Sequence, residues 1–104
     1  MPSPNRGEVW IVDLGMAAKV RPCLVLSVPP GLQDRALVTL VPHTTSTRLS
    51  QFEVDVAARF LKSGSFDAQN LVTVPHAKLI RKLGELSADQ FKSVEVVVRK
   101  WLGL

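Results

Sequence analysis

The chain has 104 residues, of which 46% are hydrophobic and 21% are charged. This composition excludes a disordered protein and leaves room for only one hydrophobic core. Thirteen Lys and Arg against nine Asp and Glu give a net charge of +4, a weak bias toward polyanionic partners unless the charge gathers at one site. We therefore expect a single folded domain over residues 1–104.

Several classes of protein can be set aside from residue usage. No apolar run approaches the roughly 20 residues that cross a bilayer, and "MPSPNRGEVW" lacks the apolar segment of a secretory signal. Residues 1–5 are thus predicted to be a disordered lead-in to a cytoplasmic protein that contacts no membrane. The single cysteine, Cys23, lies in an apolar run and is predicted to pack in the core. His43 and His76 have no carboxylate at metal-ligand spacing, so we expect no metal and no cofactor.

Five strands are predicted from β-branched and aromatic runs bounded by turn residues. They are "GEVWIVDL" (7–14), "CLVLSV" (23–28), "ALVTLVP" (36–42), "FEVDV" (52–56) and "NLVTV" (70–74). Pro22 is expected to mark the first residue of the second strand, because proline cannot donate to a sheet ladder.

Helical segments are predicted in the second half of the chain. Residues 57–69 can form a helical turn that ends at Gly64, and "HAKLIRKLG" (76–84) has the pattern of a short helix. Ser87 and Gln90 form a capping box at the start of the clearest element, and Leu86 can staple against Phe91. The apolar residues of this last helix recur at helical spacing: Phe91, Val94, Val97, Val98, Trp101 and Leu102. The residues alone indicate a small, strongly bent sheet or barrel with a C-terminal helix.

The stretch "VPHTTSTRLSQFEV" (41–54) gathers hydroxyl groups between two apolar runs, which is most often a simple turn. Alternation along an extended chain places Thr44 and Ser46 on one face and Thr45 on the other. Such hydroxyls can donate to phosphate oxygens. His43 titrates near neutral pH, but alternation turns it away from Thr44, which disfavours a catalytic role.

Arg21 precedes Pro22, which holds the arginine in an extended conformation at the mouth of a strand. A guanidinium there could donate two parallel hydrogen bonds to a phosphate and would stay charged at any relevant pH. The alternative is a surface arginine paired with a nearby acid. Spacing alone leaves open whether Arg21 and Thr44 meet in space.

At these residues the chain resembles the MazF/PemK family of toxin–antitoxin ribonucleases. The matching segments follow the family's order along most of the chain: "RGEVWIVDL" (6–14), "RPCLVLS" (21–27), "VPHTT" (41–45), "FEV" (52–54) and "LIRKLGELSADQF" (79–91). The resemblance implies a mainly β fold of the α+β type, an SH3-like, CcdB/PemK-like barrel of about five to seven strands with short helices and a C-terminal α-helix.

The resemblance also implies an activity and its residues. Arg21 and Thr44 would be the catalytic residues of a metal-independent, sequence-selective endoribonuclease that acts on single-stranded RNA. Attack of the ribose 2′-hydroxyl would leave a 2′,3′-cyclic phosphate and a 5′-hydroxyl. The nearby side chains expected to bind RNA are Lys19, Thr45, Ser46 and Arg48. The family further implies a homodimer and a cognate acidic antitoxin.

Two departures from the family pattern bear on substrate choice. The loop "GMAAKV" (15–20) is shorter than in many relatives. Where many members carry an acid, a glutamine and a following basic residue, this chain has Gln69, Asn70 and then Val72. Two other functions stay open: a CcdB-type toxin that binds DNA gyrase through its last helix and cleaves nothing, and an inactive barrel that serves as a binding module.

Overall fold

A computed structural model describes residues 3–15 and 19–104. Within these residues the chain forms seven strands and one α-helix. The strands are β1 (Glu8–Asp13), β2 (Val20–Val25), β3 (Leu37–Thr44), β4 (Glu53–Asp55), β5 (Ser65–Asp67), β6 (Val72–Pro75) and β7 (Leu79–Glu85). The helix α1 spans Ala88–Leu102, and 3-10 turns lie at Ala68–Asn70 and His76–Lys78. No helix in this part of the chain has both the length and the apolar character that a membrane span needs.

All strand pairs are antiparallel, and the strand order is β4-β5-β3-β2-β1-β7, with β6 also paired to β3. One edge of β3 pairs with β2. Its other edge is divided, since β6 pairs with the first half of the strand and β5 with its last two residues. The predicted fold class, mainly β with a C-terminal helix, is confirmed. The hydrogen-bonded path stays open, with β4 and β7 at its two ends.

Both faces of the central strands are buried. On one face, a cluster that includes Leu24 of β2 and Val41 of β3 packs against Val94 and Val98 of α1. The neighbouring positions of the same strands turn the opposite way and enter a second cluster, whose members are Val12, Cys23, Val25, Val38, Leu40 and Leu79. Since side chains alternate along a strand, burial of both faces explains why "CLV" and "LVTLV" are almost continuously apolar. Cys23 is fully buried as predicted.

The C-terminal helix is confirmed, and its start is held as the sequence predicts. The Ser87 hydroxyl accepts a hydrogen bond from the Gln90 backbone N–H at 3.2 Å. The Gln90 side-chain oxygen accepts one from the Ser87 N–H at 2.9 Å. Leu86 is buried, and Phe91 packs against the same core cluster. Local capping and one apolar stripe are therefore sufficient to define this element.

Two of the strand boundaries that differ from prediction bear on the site. β2 begins at Val20, before the Pro22 that was expected to mark its first residue. The pairing between β2 and β3 starts only at Cys23, opposite Pro42, so Pro22 has no place in that ladder where its missing N–H would be needed. β3 runs on to Thr44, two residues into the polar stretch, because His43 and Thr44 pair with β5.

The two short helical segments predicted before α1 have different outcomes. Before Gly64 the chain makes a single hydrogen-bonded turn, in which the Leu61 N–H donates to the Ala58 carbonyl at 3.0 Å, and the rest of the segment 57–69 contains β5. The short helix predicted over 76–84 is wrong, because this segment consists of a 3-10 turn followed by most of β7. In each case a distant partner determines the outcome: β5 joins β4 to β3, and β7 covers the outer edge of β1. Long-range pairing overrides local helical periodicity at such positions.

Parts of two predicted segments lie outside the described residues. These are residues 1 and 2 of the lead-in and residues 16–18 of the loop 15–20. The end of the lead-in is attached to the domain, since the Asn5 backbone N–H donates to the Glu8 carboxylate at 2.9 Å.

Substituting Ser87→Ala is expected to lower the free energy of unfolding by about 1 kcal/mol, because the Gln90 N–H then loses its acceptor. Urea unfolding followed by circular dichroism would measure this change. Ser93→Ala is the matched control: Ser93 lies inside α1, where alanine is the better helix former. Equal loss of stability in the two variants would contradict a specific role for the capping box.

Candidate active site

The antiparallel register brings Arg21 and Thr44 to one end of the sheet. Cys23 of β2 lies opposite Pro42 of β3, so counting two residues outward along both strands reaches Arg21 and Thr44. Arg21 is also held opposite Val12 of β1. Both side chains contribute to the lining of the same two clefts. The structure thus answers the question of proximity that spacing left open.

The larger cleft, which we call the main cleft, has a volume of about 550 Å³. Its cationic side chains are Lys19, Arg21, Lys62 and Arg81, and its hydroxyl side chains are Thr44, Thr45 and Ser46. Ile11, Phe60 and Leu83 supply apolar wall. No Asp or Glu of the described residues lines it. The chain's positive charge therefore does gather at one concave site, as an anion-binding surface requires.

A second cleft, the side cleft, has a volume of about 250 Å³ and lies against the same residues. It shares Arg21, Thr44 and Ser46 with the main cleft. Its further lining has mixed charge, with Arg48 beside Glu53 and Asp67, and it includes Asn70. Glu53 accepts hydrogen bonds from the Arg48 backbone N–H at 2.9 and 3.1 Å. Arg21, Thr44 and Ser46 therefore lie between the main cleft, which is cationic, and the side cleft, which has mixed charge.

Thr44 is the last residue of β3, and its hydroxyl fixes the start of the loop that follows. The Thr44 Oγ1 accepts a hydrogen bond from the Ser46 backbone N–H at 3.0 Å. This is a local turn of the kind that Ser and Thr side chains favour. The same hydroxyl donates a long hydrogen bond, 3.5 Å, to the Ser46 carbonyl, and a phosphate oxygen bound in the cleft could accept that proton instead.

His43 is almost completely buried, with 3% of its surface exposed. Its ring meets the edge of Phe66 at a centroid distance of 5.1 Å, and its Nε2 finds no hydrogen-bond partner among the described residues. Burial lowers the pKa of His43, because a low-dielectric site disfavours the charged imidazolium. Strand alternation predicts opposite faces for His43 and Thr44, yet both contribute to the main cleft.

Cys23 is two residues from Arg21 and could be considered as a nucleophile. Burial raises the pKa of its thiol to about 12, against a smaller opposing effect of Arg21. The thiolate is the reactive form, so this cysteine is inert near neutral pH. Its role is confined to the core.

Sequence reasoning placed Lys19, Thr45, Ser46 and Arg48 near the site, and all four line one of the two clefts. It missed Phe60, Lys62, Arg81 and Leu83, which line the main cleft. Two of these lie in the segment predicted as a helical turn and two in the segment predicted as a short helix. An aromatic residue between basic residues in "ARFLK" was the available signal.

Gly64 holds the end of β3 in position by allowing close approach. A Cβ added there would overlap the Thr44 carbonyl oxygen and lie 2.9 Å from His43 Cε1. Gly64→Ala is therefore expected to destabilise the fold by about 1–3 kcal/mol, as overpacking against backbone does. Thermal and urea unfolding would measure the loss. Gly31→Ala is the control, since its added Cβ meets only the Asp34 carboxylate, at 3.3 Å; equal effects would contradict the role of Gly64.

Stability should fall as the pH decreases through the range in which free histidine ionises. The unfolded chain takes up a proton at His43 below about pH 6.5, whereas burial makes the native state resist that proton. The free energy of unfolding is thus expected to decrease from pH 7.5 to 5.0, above the range of carboxyl titration. Urea midpoints at several pH values would show a shallower slope in His43→Gln. Equal slopes in both proteins would rule out His43 as the cause.

Comparison with known proteins agrees with this geometry. A model for a family described as the PemK-like, MazF-like toxin of type II toxin-antitoxin systems matches residues 5–102. An endoribonuclease solved with its cognate antitoxin, from a mycobacterial species, is 27% identical with a TM-score of 0.83 over 98% of this chain and 97% of that one.

Two further solved structures are similar over almost the whole chain. The Mycobacterium tuberculosis toxin MazF-mt6 is 29% identical, with a TM-score of 0.78 over 93% of this chain and 97% of that one. MazF from Deinococcus radiodurans is 26% identical, with a TM-score of 0.80 over 100% of both chains. Since the family model matches all but the first four and last two residues, the chain belongs to the PemK-like, MazF-like toxin family of type II toxin-antitoxin systems.

Proposed function

We propose that this protein is an endoribonuclease that cleaves single-stranded RNA at the phosphate bound between Arg21 and Thr44. The observation that carries the proposal is the shared position of these two residues in a cleft lined with cations. Family membership supports the same activity, and similar solved chains are endoribonucleases. An RNA phosphate is the anion that such a cleft would accept.

The reaction we propose is an internal transfer at phosphorus. The ribose 2′-oxygen forms a bond to the adjacent phosphorus, and the bond from phosphorus to the 5′-oxygen of the next nucleotide breaks. The products are a 2′,3′-cyclic phosphate and a 5′-hydroxyl, and the net proton transfer is from the 2′-oxygen to the 5′-oxygen. No external water or metal ion enters this balance.

Arg21 and Thr44 have distinct parts in this scheme. The Arg21 guanidinium donates two hydrogen bonds to the phosphorane oxygens, where negative charge increases in the transition state. Thr44 donates its hydroxyl proton to a phosphate oxygen in place of the Ser46 carbonyl, which accepts it at 3.5 Å in the free protein, while the Ser46 N–H keeps the hydroxyl oxygen in position. A preorganised charged donor of this kind contributes roughly 10²- to 10³-fold in rate.

The side chains around this pair would hold the RNA strand. Lys19, Thr45 and Ser46 line the main cleft, where they can contact phosphate and ribose oxygens. Arg48 lines the side cleft and would contact the strand on the other side of the cleaved phosphate. Asn70, at a position where many relatives carry other residues, also lines the side cleft, so base selection there would differ.

The proposal includes partners and a location. A complex with an acidic antitoxin is expected, since a similar endoribonuclease was solved with its cognate antitoxin, and the family resemblance implies a homodimer. With an antitoxin partner and an RNA substrate, the activity would lie in the cytoplasm. The alternative of a CcdB-type gyrase poison finds no support in the family match, and it would not require Arg21.

Arg21→Ala is expected to reduce cleavage of a panel of single-stranded RNA by about 10²- to 10³-fold, because the transition state loses its charged donor. Gel analysis with mapping of the new 5′ ends would measure the rate and the cleavage motif. Arg35→Ala is the matched control, since Arg35 is an exposed arginine that lines neither of the two clefts described here.

Three controls make this result decisive. The wild type, Arg21→Ala and Arg35→Ala proteins should give the same circular dichroism spectrum. Thr44→Val, which keeps the shape of the side chain but removes the hydroxyl, should also slow cleavage. Cleavage should persist in EDTA and yield cyclic phosphate ends. Undiminished cleavage by folded Arg21→Ala protein would remove Arg21 from the mechanism, and an inactive wild-type protein would favour a binding module.

A further inference from the structure

Phe60 occupies an unusual position in the main cleft. It lies in the loop between β4 and β5, and its partly exposed ring lines the cleft. The remainder of the ring packs against the larger core cluster. An aromatic ring that is anchored on one side and open to a cation-lined cleft on the other is the arrangement by which proteins stack unpaired bases.

Gly84 of the edge strand β7 sets the position of this ring. A Cβ added at Gly84 would lie within 3.0 Å of three carbon atoms of the Phe60 ring. The ring therefore rests directly on the backbone of β7, as aromatic residues do over strand glycines. Its orientation is fixed by the sheet, although Phe60 itself belongs to a loop.

Cations flank the ring along the cleft. Lys62 follows it in the same loop, and Arg81 stands on β7 opposite Ile11 of β1; both are exposed and both line the main cleft. Arg21 and Thr44 lie in this same cleft. The side cleft differs, because its lining includes Glu53 and Asp67. Of the two clefts, only the main cleft therefore combines, among the residues that the structure describes, an aromatic ring for stacking with a lining of cations and no acids for phosphate binding.

From this arrangement we propose that Phe60 stacks on an unpaired RNA base next to the cleaved phosphate, while Lys62 and Arg81 bind backbone phosphates of the same strand. The proposal rests on the proposed function for the identity of the ligand and adds a base subsite on the main-cleft side. Stacking is tolerant of sequence because every base has an aromatic face. This subsite would therefore require an unpaired base while discriminating weakly among the four bases.

The stacking step can be tested without cleavage. A short RNA with 2′-O-methyl riboses lacks the attacking hydroxyl, so its binding is measured separately from catalysis. Phe60→Leu, which keeps an apolar side chain against the core, is expected to weaken binding by roughly 5- to 150-fold. Phe60→Trp should restore it. The same variants should bind a duplex of equal length no differently from wild type, because paired bases cannot be splayed out.

A second readout uses the unmodified protein, so that it does not depend on any variant folding. Placing 2-aminopurine at each position of the oligonucleotide in turn should give fluorescence quenching on binding at one position beside the central phosphate. Quenching at no position would overturn the stacking proposal.

The phosphate contacts have their own signature in the salt dependence of binding. Lys62→Gln and Arg81→Gln are each expected to reduce the slope of log K against log salt by about 0.7, as loss of one single-strand phosphate contact does. Lys78→Gln is the matched control, because Lys78 is exposed in the 3-10 turn just before β7 and does not line the cleft. Unchanged slopes for Lys62→Gln and Arg81→Gln would contradict the assignment.

The outcomes separate this inference from the proposed function. If Phe60→Leu bound the RNA as tightly as wild type and quenched 2-aminopurine equally, while the wild type cleaved RNA, the proposed base subsite would be wrong and the proposed nuclease activity would stand. Phe60-dependent binding by a protein that cleaves no RNA would keep the subsite and overturn the nuclease. If the three substitutions weakened only the binding of an acidic antitoxin segment, the cleft would be a protein-docking surface and the inference would be wrong.

Discussion

Backbone pairing along the two edges of β3 organises the molecule. One edge is bonded to β2, while the other is divided between β6, which pairs with Leu37–Leu40, and β5, which pairs with His43 and Thr44. Because β5 engages only those last two residues, the strand is held firmly up to Thr44 and the chain then leaves the sheet. A hydroxyl group at the end of a fixed strand is well positioned for recognition, since its backbone moves little while its side chain faces solvent.

The same pairing accounts for the chemistry that the site can and cannot support. His43 and Cys23 are near Thr44 and Arg21 along their strands, but burial keeps both side chains neutral. The permanent positive charge at the cleft comes from Lys and Arg side chains. A site built in this way is suited to stabilising charge on a bound anion.

The elements that could be predicted from the sequence are those determined by neighbouring residues. The capping box at Ser87 and the apolar stripe of α1 are local, and the continuous apolar runs of β2 and β3 reflect burial on both faces. The strand β7 was missed because it forms by pairing with β1, far along the chain, and β5 because it has only three residues and depends on pairing with β4 and β3. Their short sequences also fit a helical period, and no local signal distinguishes the two.

The residues of the candidate site show the same distinction between local and long-range determinants. Arg21 and Thr44 could be named in advance from residue chemistry and family resemblance, since each lies in a recognisable short motif. Arg81 could not, because its place in the cleft depends on β7 being a strand beside β1. For Phe60 the aromatic residue between basic residues in "ARFLK" was a signal, but its position in the cleft depends on the same strand. A site formed where several strands meet is only partly visible in any one segment.

The contact between Gly84 and Phe60 links two positions that are far apart in the chain. A relative with any side chain at the position of Gly84 has to seat this loop farther from the edge strand, and its main cleft would then have another shape. Gly84 does not line the main cleft, yet it contacts the ring of Phe60, which does. Divergence in substrate preference between members of this family can therefore arise at a strand position that an inspection of cleft-lining residues would pass over.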